Sequence, residues 1–204
     1  MTEEFKERHV HSGRSSKAYL DADKVLKEIG LKSGASFLDI GSGEGYLSIA
    51  ASRIVGNNGK VYALDSYQES INKLREHIHR EKISNLKAIV ADATRQIPLA
   101  NGIVDVCLMA NVMHGFANDA EVAGVMNEIA RVMKTGGTFA VVDLKKISGP
   151  PGPPISIRLA PDEVIKKLSK YGFREKRVTD LGPYHYAVML SKLSPRLTQS
   201  QSAT

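Results

Sequence analysis

The chain has 204 residues, of which 42% are hydrophobic and 25% charged, a composition typical of a globular domain and not of a disordered, collagenous or fibrous protein. No stretch approaches about 18 consecutive apolar residues, and the first ten residues lack the apolar core of a signal peptide, so we expect a cytoplasmic protein with no membrane partner. The single cysteine, Cys107, excludes an internal disulfide and a multi-thiolate metal site.

The positive charge is concentrated in one segment of the chain. Twenty-eight Lys and Arg residues against 22 Asp and Glu residues give a net charge of +6. Residues 144–180 contain nine basic and four acidic residues and therefore hold most of this excess. A basic balance favours an anionic partner, nucleic acid included, but it does not indicate a fold.

In chain order, helical and strand patterns alternate from the start. Ser16 is the expected N-cap of the first helix, and Gly30 its expected end. The predicted elements of the first half are a helix at 17–29, a strand at 36–40, a glycine-rich turn at 41–45, a helix at 46–55, a strand at 60–64, a helix opened by a capping box of Ser66 and Glu69, and a strand at 87–91.

The second half continues this alternation and then changes. The predicted elements are a strand at 104–110, a helix at 119–134, a strand at 138–142, a helix at 161–171, and strands at 173–181 and 184–192. Continuous apolar strands between amphipathic helices indicate an α/β fold with a mainly parallel sheet covered on both faces. The short Gly182-Pro183 turn makes the last two strands an antiparallel hairpin. We expect one domain over 17–193, an N-terminal arm or lid at 1–16, and a disordered tail at 194–204.

A glycine-rich turn carries the strongest functional signal. Gly41, Gly43 and Gly45 follow a predicted strand that contains Asp39 and open a predicted helix. Glycines at such a turn let a ligand approach the main chain, and the helix N-terminus offers it N–H groups. The Gly-x-Gly-x-Gly spacing differs from the dinucleotide fingerprint Gly-x-Gly-x-x-Gly, which disfavours a nicotinamide-dependent dehydrogenase.

Two acids follow the next two strands. Asp65 lies 20 residues after Gly45, where a carboxylate can accept hydrogen bonds from both hydroxyls of a ribose. Asp92 follows the third strand and could accept from the exocyclic amine of a nucleobase. The carboxyl ends of parallel strands meet at one edge, so we expect the turn and both acids to form one site.

At these residues the chain resembles the class I S-adenosylmethionine-dependent methyltransferases. The resemblance runs from about residue 20 to 190 and includes residues 90–93, 105–111 and 131–137. It implies a Rossmann-like methyltransferase fold, S-adenosyl-L-methionine as cofactor and S-adenosyl-L-homocysteine as product. The implied cofactor-binding residues are Asp39, Gly41, Ser42, Gly43, Gly45, Tyr46, Asp65, Ser66, Asp92, Ala93 and Asn111.

The methyl acceptor is expected beside the fourth and fifth strands. His114 follows the fourth strand and is the candidate general base, although packing near the cofactor is an alternative role. Asp143 and Arg158 are candidate substrate-binding residues. The loop at 145–160, with its proline-rich part at 149–154, either walls the acceptor pocket or acts as a stiff spacer. His9 and His11 lack nearby further ligands, so no metal site is predicted.

Together these features predict methyl transfer to a small molecule. The chain also resembles small stand-alone methyltransferases related to the ubiquinone and menaquinone biosynthesis type, a group that usually acts on small molecules. The alternatives are an RNA or protein methyltransferase that uses the basic segment at 144–180, and a non-catalytic cofactor-binding module. An aromatic content of 6% provides no clear row of base-stacking residues, which disfavours nucleic acid.

Overall fold

The computed structural model describes residues 19–116, 119–149 and 152–194. Within them, seven strands form a single sheet. Their bounds are β1 Ser36–Ile40, β2 Lys60–Asp65, β3 Leu86–Val90, β4 Val104–Ala110, β5 Met133–Leu144, β6 Phe173–Asp180 and β7 His185–Lys192. The order across the sheet is β3-β2-β1-β4-β5-β7-β6.

The strand directions confirm the predicted mixed sheet. Strands β1 to β5 pair in parallel, whereas β7 is antiparallel to both β5 and β6. Strand β1 pairs with β2 on one side and with β4 on the other, so the strand order reverses at β1. Open α/β sheets bind ligands at the carboxyl ends of the strands that border such a reversal. The topology therefore places the glycine-rich turn after β1 at the expected crevice.

Helices cover both faces of the sheet. Their bounds are α1 Ala22–Glu28, α2 Tyr46–Val55, α3 Gln68–Arg80, α4 Asp119–Val132 and α5 Pro161–Ser169, with short 3₁₀ turns at Met113–Gly115 and Ile155–Ile157. In the described part of the chain, every helix is too short or too polar to cross a membrane. The predicted N-terminal arm at 1–16 and nearly all of the tail at 194–204 lie outside the described residues.

Alternate residues of the central strands enter two separate hydrophobic layers. Leu38 and Phe139 belong to one layer, and their neighbours Phe37 and Ala140 belong to the other. Strands with both faces buried are typical of a sheet that lies between helices. Cys107 is fully buried in the first of these layers, as expected for a small core residue, and burial raises the pKa of its thiol.

The start of α1 differs from the sequence prediction. Asp21 is the N-cap, and its carboxylate accepts from the Lys24 N–H at 3.1 Å, whereas the predicted cap Ser16 lies outside the described residues. Both residue types are good caps, but Asp21 is the one that precedes the buried positions Ala22 and Val25. Gly30 follows the helix with φ +80°, in agreement with its predicted place at the helix end.

The predicted capping box at the start of α3 is not formed. The N-cap is Tyr67, which makes no side-chain capping bond, and the helix starts at Gln68. Instead, the Asp65 carboxylate accepts from the Tyr67 N–H at 2.8 Å. An aspartate that bonds the N–H two residues ahead forms a tight turn, which keeps Ser66 out of the capping position.

Strand β5 begins earlier and α4 ends earlier than predicted. Val104 pairs with Met133 and Val106 with Thr138, so a bulge accommodates the extra residues of β5. Lys134, predicted to be helical, forms an ion pair with Asp105 at 2.7 Å instead. Bulges of this kind are difficult to predict because the local pattern of apolar residues does not reveal the register of the partner strand.

The packing of α4 on the loop after β3 gives a stability prediction. A Cβ added at Gly124 would lie 2.3 Å from the Thr94 carbonyl oxygen. We expect Gly124→Ala to destabilise the fold by about 1–3 kcal/mol, despite the higher helix propensity of alanine. Urea unfolding measures the change.

The matched control is Asn127→Ala at an exposed position of the same helix. This substitution should leave the free energy of unfolding unchanged or raise it slightly, because only helix propensity changes. Equal effects of the two substitutions would contradict the close contact at Gly124.

Candidate cofactor and acceptor site

The glycine-rich turn between β1 and α2 is packed tightly at two of its three glycines. A Cβ at Gly41 would lie 2.4 Å from Val112 Cγ2, and one at Gly45 would lie 2.4 Å from Leu74 Cδ1. Gly43 has φ +54° and nothing within 4 Å of the position that a Cβ would take. The turn is therefore fixed by neighbouring side chains at its ends and open at its centre.

Asp65 at the end of β2 holds this turn in place. Its side chain is buried, and Oδ2 accepts from the Gly43 N–H at 2.8 Å. Its other oxygen accepts from the Tyr67 N–H, as described above. Since each carboxylate oxygen can accept more than one hydrogen bond, Asp65 retains acceptor capacity toward a ligand at Gly43.

Asp39 lies beneath the turn in a fully buried position. The Ser48 hydroxyl of α2 donates to its Oδ2 at 2.6 Å. Burial raises the pKa of Asp39 to about 7, the hydrogen bond from Ser48 opposes this rise, and the negative charge of Asp65 adds to it. Asp39 and Asp65 are thus close enough to interact electrostatically.

The loop after β3 brings Asp92 to the same edge of the sheet. The Oδ1 atom of Asp92 accepts from both the N–H and the hydroxyl of Thr94, and Arg95 lies 3.5 Å from its Oδ2. Ala93 is buried in the core, and Ser66 after β2 is half-buried. The carboxylate of Asp92 is partly exposed, so it remains accessible from the crevice.

Two residues of the predicted set have other contacts in the structure. The Tyr46 hydroxyl donates to the Leu20 carbonyl and accepts from the Ala22 N–H, so this side chain ties the glycine-rich turn to the start of α1. Asn111 has φ +58°, and its N–H donates to the Val142 carbonyl at 2.8 Å. This left-handed residue ends β4 and directs the chain into the 3₁₀ turn at Met113–Gly115.

The acceptor side is organised around His114 and Asp143. The His114 Nδ1 lies 2.9 Å from Asp143 Oδ1 and 3.1 Å from Oδ2. Asp143 is fully buried, whereas the His114 side chain is 13% exposed. The side-chain contact that the structure shows for Asp143 is thus with His114, and its predicted contact with substrate stays a prediction.

Arg158, the other candidate substrate-binding residue, is bound to the backbone of its own loop. It is 5% exposed, and its guanidinium donates to the carbonyls of Lys145, Pro153 and Ile147. A side chain that donates to three backbone carbonyls holds the loop at 145–160 in shape. Residues 150 and 151 of the proline-rich part lie outside the described residues.

Two residues of β7 that no sequence motif singled out lie beside Asp143. Tyr186 pairs with Asp143 and His185 with Leu144 in the β5–β7 register. Burial lowers the pKa of His185 to about 4 and raises the pKa of Tyr186, whose hydroxyl donates to the Leu159 carbonyl. The available signal was the predicted hairpin, because it brings the start of the last strand beside the end of the fifth.

Known proteins resemble this chain in sequence and in fold. A family model described as a methyltransferase domain matches residues 31–180, which include the glycine-rich turn, His114 and Asp143. The crystal structure of a SAM-dependent methyltransferase from Aquifex aeolicus is similar with a TM-score of 0.80 and 31% sequence identity, over 94% of this chain and 98% of that one.

Two curated relatives match shorter parts of the chain. A demethylmenaquinone methyltransferase of Lactococcus lactis is 28% identical over 120 residues, which are 59% of this chain and 46% of that protein. A Thermoplasma volcanium protein named a probable cobalt-precorrin-6B C(15)-methyltransferase (decarboxylating) is 36% identical over 74 residues, 36% of this chain and 37% of that protein. The chain thus spans less than half the length of these curated relatives.

The raised pKa of Asp39 predicts a pH-dependent stability. An unfolded Asp ionises near pH 3.8, whereas the folded state keeps this proton up to about pH 7. Between these values the folded state binds more protons, so the contribution of Asp39 to stability is present below the lower pKa and lost as the pH rises toward the upper one. Asp39→Asn cannot ionise and should escape this loss.

Urea unfolding of both proteins at about pH 4 and about pH 7.5 provides the measurement. The free energy of unfolding of the variant should rise relative to the original chain by about 1 kcal/mol or more across this window. Parallel pH profiles of the two proteins would show that Asp39 ionises normally in the fold.

Proposed function

Because the chain belongs to the class I S-adenosylmethionine-dependent methyltransferases, we propose that it transfers a methyl group from S-adenosyl-L-methionine to a small-molecule acceptor. The observation that carries the proposal is the open centre of the glycine-rich turn at Gly43, held by Asp65 at the reversal of the strand order. A ligand can contact the main chain there and reach both strand-end acids.

The residues at this crevice fit the cofactor. The Ser42 hydroxyl is buried without a hydrogen-bond partner in the described residues, as expected of a group that a ligand completes. Asp65 can accept from ribose hydroxyls while it holds Gly43, and the partly exposed Asp92 can accept from an amine on the base. S-adenosyl-L-methionine, when bound, supplies an electrophilic methyl group on a sulfonium and is converted to S-adenosyl-L-homocysteine.

The predicted cofactor residues divide into two groups by their contacts. Asp39, Gly45 and Tyr46 shape the turn through Ser48, Leu74 and the α1 backbone. The remaining residues are proposed to contact the cofactor directly: Gly41, Ser42, Gly43, Asp65, Ser66, Asp92, Ala93 and Asn111.

Pairing within the basic segment supports a small-molecule acceptor over nucleic acid. Lys145 forms an ion pair with Asp180 and Lys146 with Glu163, and Arg177 is 3.0 Å from Glu28. Binding to nucleic acid uses Lys and Arg side chains that can neutralise phosphates. Four of the nine basic side chains in 144–180, Arg158 included, are thus engaged in contacts within the fold. The names of the two curated relatives also refer to methylation of small molecules.

Methyl transfer by in-line displacement depends chiefly on orientation of the two reactants. In this chain the glycine-rich turn holds one side of the crevice, and the 3₁₀ turn after β4 packs against it through Val112 and Gly41. The acceptor would enter beside His114, under the loop that Arg158 holds. Among the described residues, His114 therefore offers a partly exposed imidazole on the acceptor side of the crevice.

A substitution at Gly43 tests cofactor binding. Gly43→Ala adds a methyl group at the open centre of the turn and should weaken binding of S-adenosyl-L-methionine by about tenfold or more, which calorimetry measures. Gly30→Ala is the matched control, because Gly30 also has positive φ and nothing within 4 Å but follows α1 away from the crevice. Both variants pay a similar backbone strain, so equal affinities would contradict a cofactor at Gly43.

The acceptor class is tested by transfer of a labelled methyl group. Cell extract is separated into small-molecule, RNA and protein fractions, and each is incubated with the protein and methyl-labelled S-adenosyl-L-methionine. We expect label in the small-molecule fraction, and much less with Gly43→Ala. Label confined to RNA or protein would favour the alternative acceptor class, and binding of the cofactor with no labelled fraction would favour a non-catalytic module.

A further inference from the structure

We propose that His114 is the general base of this site and Asp143 its positioning residue, so that the acceptor is a compound that loses a weakly acidic proton as it is methylated, such as a phenol or an enol. This inference rests on the proposed methyl transfer. The inference goes beyond methyl transfer because it assigns the proton transfer to named atoms and restricts the acceptor to one chemical class.

The hydrogen bond between the two residues fixes the protonation pattern of the imidazole. Asp143 Oδ1 lies 2.9 Å from His114 Nδ1 and also accepts from the Leu144 N–H at 2.8 Å. An ionised carboxylate only accepts hydrogen bonds, so Nδ1 must carry the hydrogen. In the neutral ring this leaves Nε2 with a lone pair, which is the tautomer required of a base.

Burial makes this pairing strong and specific. Asp143 has no exposed side-chain surface, and a buried carboxylate is costly unless it is hydrogen-bonded. When Nε2 takes up a proton, the ring becomes a cation beside this carboxylate, and the pair is then charge-complementary. Asp143 can therefore stabilise the protonated imidazole without contact with the acceptor.

The backbone places His114 beside both reactants. Its 3₁₀ turn is anchored by the buried Met113, and the preceding Val112 contacts Gly41 of the glycine-rich turn. Asp143 is held in β5, which pairs with β4 up to the Ala110–Val142 position. The imidazole is thus attached to two strands that border the crevice, with 13% of its side chain exposed.

The other titratable groups around this pair are poorly suited to take the proton. From β7, His185 is 3% exposed with a pKa lowered to about 4 by burial, and the hydroxyl of Tyr186, whose pKa is raised, donates to a carbonyl. From the loop after β5, Lys145 is paired with Asp180, and Arg158 binds backbone carbonyls. Among the described groups packed around Asp143, His114 is the one that is partly exposed and also has a lone pair, on Nε2, to accept the proton.

The chemical step balances with these groups. The acceptor X–H gives its proton to His114 Nε2, and the electron pair left on X forms a bond to the methyl carbon. The bond between that carbon and sulfur breaks, and its electron pair stays on sulfur, which loses its positive charge. The proton on Nε2 then passes to solvent, so each turnover releases one proton and restores the base.

A spectroscopic test needs no cofactor. The ¹⁵N shifts of the histidine rings distinguish a protonated from an unprotonated ring nitrogen, and the His114 signals are identified by their loss in His114→Gln. We expect Nδ1 protonated and Nε2 unprotonated at neutral pH in the original chain. Asp143→Asn should shift this pattern toward the opposite tautomer, while the exposed His79 serves as an unchanged internal reference.

A kinetic test uses two probes that differ in the need for a base. Catechol loses a proton on O-methylation, whereas dimethyl sulfide accepts a methyl group through a sulfur lone pair. We expect turnover of catechol and not of dimethyl sulfide, and a fall in kcat of about 10²–10⁴-fold in His114→Gln, with a large fall also in Asp143→Asn. Affinity for S-adenosyl-L-homocysteine, measured by calorimetry, should stay the same in both variants.

The outcomes separate the two proposals. Failure of the original chain to bind S-adenosyl-L-homocysteine would overturn methyl transfer itself. Normal cofactor binding together with any one of three results would overturn the role of His114 as base and leave methyl transfer standing. These results are a proton on Nε2 of His114, an unchanged kcat in Asp143→Asn, and methylation of dimethyl sulfide at the rate of catechol. Because His114→Gln changes a partly exposed side chain, it remains informative if Asp143→Asn fails to fold.

Discussion

The site depends on a close contact between main chain and side chains at the glycine-rich turn. Val112 occupies the space where a side chain at Gly41 would lie, and Leu74 does the same at Gly45. These contacts attach the turn after β1 to the residues that follow β4 and to the middle of α3. The positions of Asp65, the 3₁₀ turn and the candidate base follow from this packing, because each lies on an element that the turn contacts.

Buried carboxylates give the crevice its second constraint. Asp39, Asp65 and Asp143 are all less than 3% exposed, and each is bound by hydrogen-bond donors from the residues around it. Such groups are costly unless they are satisfied, so they restrict the backbone to a narrow range of positions. Asp65 fixes main-chain N–H groups, Asp39 fixes a helix through Ser48, and Asp143 fixes a ring. The same residue type thus performs three positioning tasks along one edge of the sheet.

The sequence was informative wherever the signal is local. The apolar run at 104–110 predicted β4 with its observed bounds, and the ordered motifs from the glycine-rich turn to residues 131–137 predicted the family. Local patterns could not distinguish Asp21 from Ser16 as a cap, because both residue types cap helices well.

Local sequence patterns could not predict contacts between residues that are distant in the chain. The pairing of His114 with Asp143 spans 29 residues and depends on the register of β4 with β5. The burial of Arg158 among loop carbonyls likewise requires the folded loop. An arginine in a basic segment suggests an anionic ligand, and only the tertiary structure shows that its donors are used within the chain.

The position of β7 has a consequence for the order in which the protein assembles. This last strand lies between β5 and β6, so the edge of β5 has no partner until residues 185–192 have been synthesised. Strands β1 to β4, which border the glycine-rich turn, are complete at Ala110, 75 residues before β7 begins at His185. On the ribosome, therefore, the cofactor side of the crevice can form first. Strand β7 can pair with β5 beside Asp143 only after residues 185–192 have emerged.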